Sequence, residues 1–287
     1  MELQNYSGFE DQQQINNYAI FSRLMRYFIK RLGILLMVLI AVSMLTFSVT
    51  RIAGTPLYAA IGVYSTKEMI EERKEQMGLN KPLWEQYTNY LTGLVNGNLG
   101  SSRRTFAPVK DEIGDRLPAT AELVIFAVGL SILWAVPLGA TAAFKPHGWA
   151  DRLGSILSQF GVSVPSFWLG LIFIYIFYYI LGAFPAPFGR LGGADPPSFV
   201  TGLYSIDALI NGNLTLFLET LRYIAMPAIT LSFTSSPPIF SVTRSAVSNV
   251  LGSKFVEAAR SYGIPSRVIK FRHIAPNAAP PIINIVA

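Results

Sequence analysis

Cysteine is absent from this chain of 287 residues, so disulfides, thiolate metal sites and cysteine nucleophiles are all excluded. Histidine is almost absent: His147 and His273 are too few and too far apart to suggest a metal site. Charge is scarce, at 14% of residues, where a soluble domain carries roughly a quarter. The charges that exist are clustered, leaving long uncharged runs, the mark of a chain that crosses a bilayer. A Gly-x-x-x-x-Gly-Lys-Ser/Thr phosphate loop is also missing. Gly252-Ser253-Lys254 lacks the upstream glycine, so the chain is not expected to hydrolyse ATP. No charged side chain falls at the centre of an apolar run, which argues against a carrier built on buried carboxylates. No nucleophile, acid and base cluster can be assembled, so the chain reads as a non-catalytic protein. What is abundant is apolar: 51% of residues are hydrophobic, and the net charge is +6. In a membrane chain that excess belongs to cytoplasmic loops, not to nucleic-acid binding.

Residues 1–22 are polar, with Asp11-Gln12-Gln13-Gln14 and Asn16-Asn17, and read as a mostly disordered cytoplasmic tail. Arg23, Arg26, Lys30 and Arg31 then precede an uncharged run from Gly33 to Thr50. A cleaved signal peptide is the competing reading. The length of the run, the missing small-residue cleavage site and the late basic cluster favour a retained first membrane helix over 23–52, N-terminus inside. Residues 53–116 carry eight basic and eight acidic side chains, a balance that suits an extracytoplasmic helical insertion. Within it, Ser65 to Met77 reads as a capped helix ended by Gly78, and Lys81-Pro82-Leu83 opens a second helix running to Leu94. Gly97-Asn98-Leu99-Gly100 is a turn.

Residues 117–287 form the membrane domain, with spans expected at about 119–144, 153–182 and 216–241, and a further one starting at 274. Pro118 is assigned to the first turn of the second span, Glu122 to its positive end, and Pro137 to a kink. Leu153 to Gly189 holds no charge and reads as one tilted helix of about 28 residues, bent near Pro165. Phe177, Tyr178, Tyr179 and Phe184 mark its outer interface. The fourth span is polar in its middle, with Thr230, Ser232, Thr234, Ser235 and Ser236 ahead of Pro237-Pro238. With Ser163 and Ser166 these hydroxyls are candidates to line a pathway; glue between helices is an equally good reading. The last segment has fourteen residues from Ile274 to Ala287, too few to cross, so the chain is expected to continue beyond them.

The stretch from Thr243 to Pro276 has a different character. Arg244, Lys254, Arg260, Arg267, Lys270 and Arg272 face a single acid, Glu257. Val247, Val250, Leu251, Phe255, Ala258, Ala259 and Tyr262 recur three and four apart and define one greasy face. Gly263 ends a helix and Pro265 opens another, so two short helices with a sharp bend are expected in a cytoplasmic loop over 243–273. Composition alone would make this a generic basic loop. Its spacing is more specific. Glu257-Ala258-Ala259, then Gly263 and then Pro276 resembles the EAA loop of the membrane subunits of ABC importers. His273 and Asn277 are similar to the dipeptide/oligopeptide branch of that family, although Ala275 stands where leucine is usual. Further landmarks run along the chain: Gly54-Thr55-Pro56, Met77-Gly78-Leu79-Asn80-Lys81-Pro82-Leu83, Gln86-Tyr87, Arg116 to Leu123, and Val164 to Gly170.

The resemblance implies an all-α polytopic membrane protein with six helices in the family, about five of them covered here. It implies that Glu257, Ala258, Ala259, Arg260, Gly263 and Pro276 form the coupling segment that docks on an ATPase. It further implies a related permease as partner in a heterodimer, two ATPase subunits or domains, and an extracytoplasmic substrate-binding protein. No cofactor is expected on this chain itself, ATP and Mg being held by the partners. Small peptides are the expected cargo, and nickel, glutathione and oligosaccharides are alternatives within the same transporter class. A secondary transporter would need internal repeats and membrane-embedded charges. A membrane scaffold would not account for the Glu-Ala-Ala, glycine and proline spacing.

Overall fold

The computed structural model describes residues 3–52, 71, 74–75, 79–102, 104–105 and 107–287. The Gly54-Thr55-Pro56 and Met77-Gly78 landmarks lie outside the described residues, as does the expected Ser65–Met77 helix apart from Glu71, Lys74 and Glu75. Among the described residues the regular structure is helical, with one isolated bridge between Ser101 and Pro108. Contacts divide the chain into an N-terminal unit, Met1–Glu112, and a C-terminal unit, Ile113–Ala287.

In the N-terminal unit, helix α1 (Leu3–Ile52) is continuous. The polar tail over 1–22 was expected to be irregular, yet its described backbone is helical from Leu3. Extending an existing helix needs no new nucleus, and the Gln and Glu residues there are good helix formers. From Phe21 to Arg51 the helix is long and apolar enough to span a bilayer, and side chains such as Leu35, Met37 and Leu45 are exposed, as a lipid-facing surface requires. Helix α2 (Leu83–Val95) starts where Pro82 ends the extended approach, one residue longer than expected. Gln86 is buried, and its amide donates to the Leu79 and Lys81 carbonyls, closing the turn before α2. The Tyr87 hydroxyl bonds Ser43 Oγ at 2.9 Å and its ring meets Phe47 edge-on, so α2 is pinned to α1.

Helix α3 (Val109–Phe144) begins nine residues before Pro118, which therefore sits in its interior and not in its first turn. Pro108 accepts bonds from the Asp111 and Glu112 amides, and those two acids favour a helix N-terminus there. The helix runs on through Pro118 and Pro137 without a break. Helix α4 (Trp149–Ser163) ends at Val164, whose extended backbone (φ −100, ψ 125) is what a following proline imposes. Helix α5 (Ser166–Phe173) then loosens into a π-helix over Ile174–Ile180. The chain direction bends by 108° between the two arms, so this segment turns a corner where a single bent helix was expected. Helix α6 (Tyr204–Ile210) is a short element of the loop that follows.

Helix α7 (Leu214–Leu251) is the axis of the unit, contacting α3, α4, α5 and α6, and it continues ten residues past the expected end at 241. Prolines 227, 237 and 238 do not interrupt it. Pro237 cannot bond the carbonyl of Phe233, four residues back; the Ser236 hydroxyl donates to that carbonyl instead, at 3.0 Å. Helix α4 lies against α7 through two glycines. A methyl on Gly161 would fall 2.8 Å from the Phe233 carbonyl oxygen, and one on Gly154 would overlap the Phe240 ring. Between α3 and α7, Ser131 Oγ and Trp134 Nε1 both converge on Ser232. The chain closes with α8 (Lys254–Ser261), α9 (Ser266–Val268), a π-helix over Ile269–Ile274 and α10 (Ala275–Val286).

Candidate functional site

Helix α8 is short and two-sided. Val256 and Ala259, three apart, are buried in a cluster with Ala143 of α3, Ala246 and Val247 of α7, Ile269, Ile274 and Ala278. Phe255, Glu257, Ala258, Arg260 and Tyr262 are exposed. The greasy face expected from periodicity is thus split: Val247 and Ala259 turn inward, whereas Phe255, Ala258 and Tyr262 face away from the core. Period identifies positions that share a side but not what covers that side. Gly263 follows at φ +72 with open space around it, a conformation that side-chain-bearing residues adopt at a cost. The Ile264 amide bonds the Ala259 carbonyl and the Gly263 amide that of Arg260, closing the helix end. Lys270 Nζ stands 4.6 Å from the Phe144 ring centre, tying the returning chain to α3. Pro276 is exposed in the first turn of α10. Neither Glu257 nor Arg260 makes an ion pair among the described residues.

Nearby, Asp151 at the start of α4 faces Arg244 of α7 with Nε 2.7 Å from Oδ1. This pair fastens α4 to the C-terminal half of α7, and accounts for one of the six cations assigned to the loop from sequence.

Toward the opposite end of α7, a cavity of about 470 Å³ lies between α7, α5, Leu123 of α3 and the Pro185–Gly189 loop. Arg222, Tyr223, Met226, Pro227, Thr230 and Leu231 line it from α7, at helical spacing. Of the seven hydroxyl residues singled out as pathway candidates, Thr230 and Ser166 line this cavity. Ser232 and Ser236 are buried in the bonds described above. Thr234 donates to backbone carbonyls of its own helix, Ser163 does so to Gln159 and is exposed, and Ser235 is exposed.

Sequence reasoning missed the structure that roofs this end. Glu122 does not sit at a helix start; it lies thirteen residues into α3 and is buried. Its two oxygens accept from the Arg190 guanidinium and from the Ser205 amide at the head of α6. Arg190 also donates to the Gly202 carbonyl and stacks 3.4 Å over the Tyr204 ring centre. Asp207 is buried as well. Burial alone would raise its carboxyl, but the Thr201 hydroxyl and the amides of Thr201, Val200 and Gly202 outweigh this and hold it below the ordinary value of 3.8. A single acid in an otherwise apolar span, and a single arginine in a base-poor loop, were the available signal.

Residues 135–287 match the family described as binding-protein-dependent transport system inner membrane component, and residues 24–124 match its N-terminal companion family. The dipeptide transport system permease protein of Alkalihalophilus pseudofirmus is 36% identical, over 92% of this chain and 79% of its own length. The di/tripeptide transport system permease protein of Pseudomonas aeruginosa is 34% identical, over 91% of this chain and 78% of its own.

Proposed function

The chain belongs to the family of binding-protein-dependent transport system inner membrane components, and from that premise we propose that it carries small peptides across the membrane in an ATP-driven importer. It is a membrane-spanning permease subunit of all-α fold. The peptide cargo is supported by the names of the relatives. In this reading the chain pairs with a related permease, receives cargo from an extracytoplasmic binding protein and relies on partner ATPases that hold ATP and Mg. The basic cluster from Arg23 to Arg31 supports an N-terminus on the cytoplasmic side.

The observation that carries the coupling mechanism is the two-sidedness of α8. Its outward surface, with Phe255, Glu257, Ala258, Arg260 and Tyr262, is the docking face for an ATPase, and Gly263 and Pro276 set its angle and its return. Its inward residues are packed among α3, α7 and α10. A close-packed core transmits displacement and does not absorb it, so a push on α8 moves these helices together as a rigid body. The cavity lined by Thr230 and Ser166 is a segment of the translocation route. Purification from native membranes should recover a second permease and ATPase subunits. In proteoliposomes, dipeptide uptake should require the binding protein and stop when the ATPase sites are inactivated. Uptake that survives dead nucleotide sites would sink the importer reading.

A further inference from the structure

The cavity beside α7 has one charged lining residue, Arg222; the others are apolar, glycine, or the hydroxyl residues Ser166, Tyr223 and Thr230. Arg222 makes no ion pair among the described residues, not even with Glu219 one helical turn earlier. Two other arginines of the unit that line cavities are paired with an acid there: Arg190 is bound to Glu122 and Arg244 to Asp151. Arg222 is exposed and borders a wall that carries no acid, so its guanidinium stays available to an incoming anion. The guanidinium fork matches a carboxylate in a way an ammonium does not. The volume of about 470 Å³ suits a small ligand.

We propose that Arg222 receives the carboxylate of the cargo, which makes this cavity a subsite for a small amphipathic carboxylate such as the C-terminal end of a dipeptide. Phe167, Met226 and Leu231 provide the apolar wall for its side chain, and Tyr223 and Thr230 lie on the same α7 face as Arg222. The assignment rests on the peptide-importer reading above.

The test uses the whole transporter with its binding protein in proteoliposomes, and labelled Ala-Phe dipeptide as probe. At saturating loaded binding protein, Arg222→Gln should lower maximal uptake on the order of tenfold, and Arg222→Lys, which keeps the charge, should recover a large part of it. An Ala-dipeptide with a benzophenone side chain should photo-crosslink to α5 and α7 at the cavity wall in the unaltered transporter and not in Arg222→Gln at equal assembly. A purely structural arginine would not produce that pattern. Uptake by Arg222→Gln at the unaltered rate overturns the proposal, as do crosslinks that ignore Arg222. Recovery of a phospholipid, or of an acidic side chain of the partner permease, crosslinked at the cavity also overturns it. An unaltered transporter that takes up no Ala-Phe removes the peptide reading and this subsite together, whereas normal uptake with an indifferent Arg222→Gln removes the subsite alone.

Discussion

At the end of the C-terminal unit that the proposed orientation makes the outer one, Glu122 and Asp207 are buried, and each of their oxygens accepts at least one hydrogen bond. At the end that the same proposal makes the inner one, Glu257 and Arg260 are exposed on α8 without an ion pair among the described residues. The same residue types thus do opposite work. A buried carboxylate is tolerable only when it is saturated, and saturation ties the loop around α6 to α3. An exposed carboxylate costs little to leave unpaired and stays available to a partner. The contrast predicts that outer-end substitutions act on stability, and inner-end substitutions act on assembly and coupling.

The largest effect should come from Glu122→Ala. It strands the Arg190 guanidinium and the Ser205 amide, and losing one partner of a buried pair costs about 3–5 kcal/mol. Thermal unfolding of the purified complex should move down accordingly, with the loop over 190–205 becoming sensitive to protease. An unchanged melting temperature would mean that the outer cap is not held by this carboxylate. Next comes Gly161→Ala, whose methyl meets a backbone carbonyl that cannot swing aside; overpacking of this kind costs about 1–3 kcal/mol. Gly154→Ala should cost a similar amount, because its methyl would overlap the Phe240 ring, which is itself buried.

At the inner end, Gly263→Val should damage ATPase recovery and transport more than Glu257→Ala. A β-branched residue at φ +72 is strained by about 1–3 kcal/mol, whereas an exposed salt bridge contributes about 1 kcal/mol or less. Equal behaviour of the two variants in co-purification would contradict the bent coupling segment. The smallest effect near neutrality belongs to Asp207. Its folded carboxyl titrates below the ordinary 3.8, so its contribution is present in full above that value. It is lost as the pH falls from there through the lowered folded value. Hydrogen exchange at Val200, Thr201 and Gly202 should therefore rise only under strong acid, and Asp207→Asn should flatten that dependence.

Much of the inner end was legible in the sequence. Gly263 ends a helix by a local rule, and the spacing from Glu257 to Pro276 belongs to one short stretch of chain. The outer end was not legible, because the partners of Glu122 lie 68 and 83 residues away at Arg190 and Ser205. Placing Glu122 at a helix start gave it the wrong environment. Ser236 was readable in part: a hydroxyl just before a proline is well placed for the carbonyl that the proline frees. Nothing local separated Thr230, on a cavity wall, from Ser232, between two helices.

The amino-acid sequence by itself determined that this chain is helical and crosses a membrane, and where its helices stop at Val164-Pro165 and Gly263. Hydropathy, proline and glycine act through neighbours a few residues apart. Only the tertiary structure decided which face of α8 is covered, which hydroxyls line the cavity and which charges are paired. Those outcomes depend on what α3, α4 and α7 bring together from across the chain, and no local pattern carries that information.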